Sequence, residues 1–381
     1  MRILIVGPVP PPYGGMALQA QALLERLRHD RIEADLIATN PPIPRFVAAI
    51  KGVRTLVQSA VFLGSLARAL RRPAVVHLLG ASHWYFGLRV IPCLLFAKVF
   101  GRRTILNYRG GEAPRFFRRY RPLALPALRL ADEIVVPSEY LQRTFNGHGI
   151  DVKIIPNFVD LGRFRFRPRE RLRPKLLVTR TLEPLYNVQM ALEAFAIVKR
   201  NYPDAELDIV GGGSQEVVLK GWVRGQGLAG VRFHGAVPNA DMPKYLASAD
   251  LLLNPSNADN MPITLLEAFA AGVPVVTTDV GGIPDLVGAC EAALMVKPND
   301  AMEMAARIDE LLQDPEKAAQ IVRNAKSLSD RMSWARVGPL WHELYRAGDH
   351  DNYGDEVVRS ANQTGKEIRR AKPQRLPSSD V

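Results

Sequence analysis

The stretch Asn254–Asp285, NPSNADNMPITLLEAFAAGVPVVTTDVGGIPD, decides the fold: it holds a loop, an apolar helix, a buried strand and a glycine loop around two spaced carboxylates. Ahead of it, Ala249-Asp250-Leu251-Leu252-Leu253 is a short apolar run ending at a Pro-Ser-Asn turn, the pattern of a buried parallel strand whose carboxyl end opens into a loop. Ile263–Ala271 reads as a helix, with Pro262 at its first turn, where a missing amide costs nothing, and Gly272 as its stop. Pro274–Thr278 begins the next strand, so the segment forms a crossover unit. Such a unit gathers Asn260, Met261, Pro262, Ile263 and Thr264 at a helix N-terminus, where partial positive charge and unpaired amides favour a phosphate or a sugar oxygen. Asp259 in the loop and Glu267 on the second helical turn flank that end and accept several hydroxyl donors, which suits a ribose and a hexose. In isolation both acids would read as solvated surface groups.

On these residues the segment resembles the signature region of retaining glycosyltransferases with the GT-B fold, glycosyltransferase family 4. That family carries a Glu, seven residues, then a Glu opening EAxAxGxPVV, followed by a glycine pair and an acid. Here Asp259 takes the first place and Glu267 the second, followed by Ala268, Gly272, Pro274, Gly281, Gly282 and Asp285. The shorter Asp at the first acidic position shifts the hydrogen bonds to the donor sugar. The resemblance runs from Met1 to about Gly348. It implies an α/β fold with two facing Rossmann-like, doubly wound parallel-sheet domains and a cleft between them.

At 381 residues the chain accommodates two domains, each able to bury a core. Cys93 and Cys290 lie far apart and read as reduced core thiols, with neither a disulfide framework nor a zinc site. Met1–Gly7 reads as a strand running into a proline turn, with no small-residue cleavage site, so the chain is expected in the cytoplasm. The net charge of +12 is uneven: residues 1–170 hold 26 Lys and Arg against 11 Asp and Glu, and the rest 24 against 27. The basic half therefore faces something acidic: an anionic membrane surface, a phosphorylated acceptor or nucleic acid.

Apolar runs alternate with helical patterns along the first half, with strands at Ile3–Val6, Ala34–Ala38, Ala74–His77, Arg103–Tyr108, Glu133–Pro137 and Lys153–Ile155. Helices are expected at Ala17–Arg28, Arg45–Arg71, Gly87–Phe100 and Glu139–His148. The pattern restarts at Lys175. The expected domains are 1–165 for the acceptor and 166–335 for the nucleotide sugar, with the Arg- and Pro-rich Leu161–Pro174 as a hinge. Residues 336–348 match the last helix of the family, which crosses back to the first domain. The polar residues 349–381 read as a disordered tail, with a short helix near Thr364–Ala371.

Gly14 and Gly15 follow the first strand and precede a helix, where glycine lets the backbone approach an anion. The resemblance makes them part of the donor loop. It also gives Arg180 the role of holding the donor diphosphate, which a guanidinium does by gripping two phosphate oxygens. The family's Lys five residues later is replaced by Tyr186 or Asn187. Gly211, Gly212 and Gly213 lack the full dinucleotide fingerprint, but in the family such a loop borders the nucleotide, and Val237 lies where backbone groups meet the base. Arg109 stands where many relatives place a His facing the transferred sugar. It is no base at neutral pH, but it can bind a phosphate of donor or acceptor. His83 and Glu112 are the acceptor-side candidates, with structural roles as their alternatives. The resemblance thus places Arg180, Asp259, Glu267 and Arg109 at the catalytic centre.

No Asp-x-Asp motif suited to a divalent ion stands on a loop, so neither metal nor cofactor is expected beyond a UDP- or GDP-linked sugar. The segments Arg45–Arg72, Arg89–Lys98 and Arg115–Arg121 carry basic residues and aromatic anchors fit for an anionic membrane surface, although none is long enough to span a bilayer. Nucleic acid is not expected, because no recognition module is present. The chain is expected to move a hexose from a nucleoside-diphosphate sugar to a glycan or lipid-linked acceptor with retention. The alternatives are a nucleotide-sugar hydrolase or epimerase, and a non-catalytic protein of the same fold that binds a membrane or another partner through its basic half.

Overall fold

The computed structural model describes residues 1–11, 13–44, 52–72, 74–169 and 171–347. Met1–Val337 form one compact unit, and a second begins at Gly338. Among the described residues of the first unit, the strands make two six-stranded parallel sheets. The first holds β1 (Arg2–Gly7), β2 (Glu33–Ala38), β3 (Val75–Gly80), β4 (Thr104–Tyr108), β5 (Glu133–Val136) and β6 (Lys153–Ile154), in the order β2-β1-β3-β4-β5-β6. The second holds β7 (Lys175–Val178), β8 (Glu206–Val210), β9 (Val231–Gly235), β10 (Leu251–Asn254), β11 (Val275–Thr278) and β12 (Leu294–Val296), in the order β12-β11-β10-β7-β8-β9. Their strands read as near-continuous apolar runs because helices cover both faces.

In chain order the helices around the first sheet are α1 (Gly15–His29), α2 (Val53–Leu70), α3 (Ile91–Val99), α4 (Ala113–Leu128) and α5 (Glu139–Asn146). Those around the second are α6 (Val188–Asn201), α7 (Glu216–Gly225), α8 (Met242–Ser248), α9 (Ile263–Ala271), α10 (Ile283–Val287), α11 (Ala301–Gln313) and α12 (Pro315–Arg331), and α13 (Trp334–Arg346) closes the described chain. Within the second unit, Trp341 stacks on Tyr345.

Each sheet has a point where the strand order reverses, between β1 and β3 in the first and between β7 and β10 in the second. Crevices outside the carboxyl ends of strands at such points are where open α/β sheets bind ligands. Helix α9 starts beside the second of these. Apart from Thr264 every one of its residues is buried, as an all-round apolar helix must be. It ends at Gly272, whose φ of 70° and tight packing on Phe166 and the Arg167 carbonyl leave no room for a side chain.

Several expectations need correction. Helix α4 went unread because Pro122 and Pro126 interrupt its pattern; the chain absorbs them with a kink at Tyr120, where φ is −120° and ψ 24°. Its Phe116 and Phe117 are buried in the first core and therefore are not membrane anchors. Arg89 turns inward likewise, donating to Ser59 Oγ at 2.6 Å and lying over the Phe62 ring. Helical structure begins at His83 and passes through a π-helical turn, Phe86–Val90, before α3. Pro262 is the cap before α9, not part of its first turn. Strand β12 and helix α10 were not anticipated. The first residues of the expected helix Arg45–Arg71, and the tail 349–381 with its helix near Thr364–Ala371, lie outside the described residues.

The Arg- and Pro-rich link is tied to the second sheet. Asp250, just before β10, is 1% exposed and receives Arg167, Arg169 and Arg173. Burial opposes its charge, but hydrogen bonds from Arg173 and Arg167 outweigh that and hold its carboxyl below the usual range. Arg169 also donates to the carbonyls of Leu246, Ala249 and Ala271.

Candidate active site

A cavity of about 410 Å³ opens between the carboxyl ends of the two sheets. Its walls are the loops after β1, β3, β4, β5 and β6 on one side and those after β7, β9 and β10, with the start of α9, on the other. The glycines explain how these loops meet. A Cβ on Gly111 would sit 3.0 Å from the Asp259 backbone, and one on Gly281, at φ 59°, would lie 1.9 Å from the Asp259 carbonyl oxygen. The Gly281-Gly282 pair thus packs directly against the loop that carries Asp259 and Asn260. Across the cleft, Ser138 Oγ donates to Asn260 Oδ1, Asn157 Nδ2 donates to the Met261 carbonyl at 2.7 Å, and Arg143 grips both oxygens of Asp285 at 2.9 Å.

Arg180 follows β7 and Asp259 follows β10, so the order reversal of the second sheet places them side by side. Arg180 Nη2 contacts the Asp259 carboxylate and donates to Ser256 Oγ at 2.9 Å. Asp259 Oδ1 also accepts the Asn260 amide at 2.9 Å. The ring of Tyr186 lies 4.2 Å from the Arg180 guanidinium carbon and places an aromatic face on that cation. Arg180 Nε, Asn260 Nδ2 and Thr264 Oγ1 are buried polar atoms of the cavity wall without a hydrogen-bond partner. Each such atom costs about 1–3 kcal/mol unless an acceptor reaches it.

Glu267 lies one turn deeper on α9, 6% exposed. Burial pushes its carboxyl up to about 7, against a smaller opposing pull from Arg163. Opposite it, on the first-sheet side, Arg109 follows β4, with its guanidinium on the carboxamide oxygens of Asn107, at 3.4 Å, and Asn157. Burial alone brings it down to about 10. Asn107 Nδ2 faces His77 Nε2 at 3.1 Å, and burial, with the Arg109 charge, holds His77 down to about 3, so this histidine is neutral.

Most of the residues singled out in the sequence line this cavity: Gly14, Gly15, His83, Arg109, Glu112, Arg180, Tyr186, Val237, Asp259, Asn260, Met261, Pro262, Ile263, Thr264 and Glu267. His83 and Glu112 approach each other at 3.4 Å, and Glu112 also meets Arg115 at 3.6 Å. Asn187 and the three glycines after β8 are not part of the wall. Asn187 caps α6 in the left-handed region, φ 44°, and donates to the side chains of Asn257 and Asn299. Gly211 has φ 151°, and a Cβ there would meet the Arg180 carbonyl oxygen at 1.9 Å; one on Gly213 would meet that of Leu182 at 2.4 Å. These glycines let the β8 loop press against the backbone that carries Arg180. Asn157, Ser256 and Asn107 had gone unnoticed. The first two stand at the loop-opening dipeptides Pro156-Asn157 and Pro255-Ser256, the only local signal they carry.

Known proteins resemble this chain in sequence and in fold. A family model described as Glycosyltransferase Family 4 matches residues 13–163, and one described as Glycosyl transferases group 1 matches residues 163–328. The exopolysaccharide phosphotransferase of Streptomyces coelicolor is 33% identical over 59% of this chain, a match that spans only 24% of the relative's length. The GDP-mannose-dependent alpha-(1-6)-phosphatidylinositol monomannoside mannosyltransferase of Mycolicibacterium smegmatis is 30% identical over 58% of this chain and 65% of its own length. Among solved structures, Anabaena HepE in complex with UDP and glucose superposes with a TM-score of 0.70 at 20% identity, covering 91% of this chain and 100% of that one. The last likeness is one of fold.

Proposed function

We propose, from the premise that the chain belongs to glycosyltransferase family 4, that the cavity takes a UDP- or GDP-linked sugar and passes its hexose, with retention, to a glycan or lipid-linked acceptor. The observation that carries this reading is the set of unpartnered donors, Arg180 Nε, Asn260 Nδ2 and Thr264 Oγ1, gathered where the second sheet reverses its order and α9 begins. A diphosphate supplies the acceptor oxygens they lack, and the N-terminus of α9 adds its partial positive charge. Arg180 then exchanges part of its contact with Asp259 for the phosphates and meets the charge that grows on the leaving nucleotide. Glu267, held near neutrality, accepts or donates a hydrogen bond at the sugar hydroxyls.

In the reaction so read, the bond from the anomeric carbon to the phosphate oxygen breaks and the acceptor hydroxyl oxygen forms the new bond on the same face. Its proton passes to the departing phosphate. Such chemistry depends on positioning and charge stabilisation rather than on a protein base. We read it as metal-independent, so chelation with EDTA should leave turnover unchanged. The first domain would meet the acceptor, and the outer face of α2, with Leu56 72% exposed beside Val53, Arg54 and Val61, suits an anionic membrane surface. No helix among the described residues is long and apolar enough to cross a membrane.

The test is transfer of labelled hexose to an acceptor fraction by wild type, Arg180→Ala and Glu267→Ala. The reading expects both variants to lose transfer; unchanged turnover in both contradicts it. Sugar release that proceeds equally fast without acceptor would favour the hydrolase alternative.

A further inference from the structure

The acids of the cavity wall are accounted for. Asp259 is held by Arg180, Glu112 lies against His83 and Arg115, and Glu267 is buried deep enough to be largely uncharged below neutral pH. The cations are not equally matched. Among the described residues no carboxylate lies within ion-pair distance of Arg109, and its Nη1 has no hydrogen-bond partner. The neighbours it does have are neutral amides fixed in orientation. Asn157 gives its Nδ2 to the Met261 carbonyl and Asn107 gives its Nδ2 to His77, so both turn their oxygens to the guanidinium. The backbone amide of Arg109 is pinned to the Gly80 carbonyl at 2.9 Å, which fixes the loop beside β3. A guanidinium so aligned at the edge of a cavity, with no counter-charge, is set to receive a planar or tetrahedral anion.

We propose that Arg109 anchors a second anionic group of the substrates, a carboxylate or phosphate distinct from the donor diphosphate. The proposal rests on the donor-site reading above, since Arg180 and the start of α9 already account for the diphosphate. The anion has two sources: a uronate carboxylate on the transferred sugar, or a phosphate on the acceptor. Either replaces the hydration that the guanidinium loses on burial and supplies the charge missing from its surroundings.

The experiment is calorimetric titration of the full chain. UDP and GDP come first. The nucleotide that binds sets the donor arm: UDP-glucose against UDP-glucuronate, or GDP-mannose against GDP-mannuronate. In the acceptor arm, nucleotide-saturated protein receives glucose or glucose 6-phosphate. The proposal expects the anionic probe of one arm to bind at least tenfold more tightly than its neutral partner. That ratio should collapse in Arg109→Gln and survive in part in Arg109→Lys, which keeps the charge but not the fork. Because the ratio is read within one variant, partial loss of folded protein does not mimic the effect. Preference in the donor arm identifies a uronate, and preference in the acceptor arm a phosphate. Equal binding of charged and neutral probes in both arms, with the nucleotide still bound, overturns the proposal alone. Failure to bind either nucleotide overturns the donor-site reading and this proposal with it.

Discussion

Two arginines, Arg169 and Arg109, are each brought down to about 10 chiefly by burial, yet their surroundings differ in kind. Arg169 lies in a knot with Asp250 and a fan of backbone carbonyls, where each of its own nitrogens has a fixed acceptor. Arg109 rests on two carboxamide oxygens at the edge of an open cavity. The first arrangement is complete without a ligand and serves the fold, tying the link between domains to the second sheet. The second lacks a counter-charge and serves a ligand. Of these two buried cations, the one without a counter-charge is the one that faces a cavity.

The sharpest way to break the comparison is to remove the counter-charge that exists. Asp250→Ala leaves three arginines around an empty site, and urea unfolding should show a loss of about 3–5 kcal/mol. Arg109→Gln should cost no more than about 1 kcal/mol in the same assay without ligand, because it removes an uncompensated cation along with two hydrogen bonds. Comparable losses would erase the distinction.

Next in size is Arg180→Ala, expected to lower turnover by about 10²–10³-fold, the usual effect of removing a donor aimed at developing charge. Glu267 yields a pH signature. Its folded pKa of about 7 lies above the ordinary 4.5, so the folded chain keeps a proton that the unfolded chain has released, and stability falls as pH rises from about 4.5 to about 7. The loss amounts to about 3 kcal/mol. His77 acts in the opposite sense: its pKa of about 3 in the fold penalises stability as pH falls below 6.5. The difference between wild type and Glu267→Gln isolates the carboxyl, and the variant's relative stability should grow from pH 5 to pH 8. Smallest is Tyr186→Leu, which removes the ring from Arg180 and should weaken nucleotide affinity by about 1 kcal/mol, or roughly fivefold; Tyr186→Phe should leave it unchanged.

The same contrast separates what could be read from the sequence from what could not. Helix α9 has the bounds its pattern predicts, because an apolar run interrupted only by Thr264 and Glu267 lies between Pro262 and Gly272. Arg180, Asp259 and Glu267 were singled out through the family resemblance, and the structure brings all three to one cavity wall. The cradle of Arg109 was not legible in the sequence. Asn107 points inward from the end of a strand, Asn157 follows a proline in a loop, and only the meeting of β4, the loop after β6 and Met261 gives their amides a purpose. The Asp250 knot was hidden for a related reason: an acid within an apolar run carries no local sign of arginines about eighty residues earlier. Helix α4 was obscured by its own prolines.

The central claim, that this cavity is a nucleoside-diphosphate sugar site, is tested most directly by the thermal shift of the purified chain with UDP, GDP, ADP and their common sugars, wild type beside Glu267→Ala. The account predicts a rise in Tm selective for one nucleotide, larger with its sugar attached, and with that sugar increment lost in the variant. No rise with any of them, confirmed by direct titration, or an equal rise in both proteins, would contradict it.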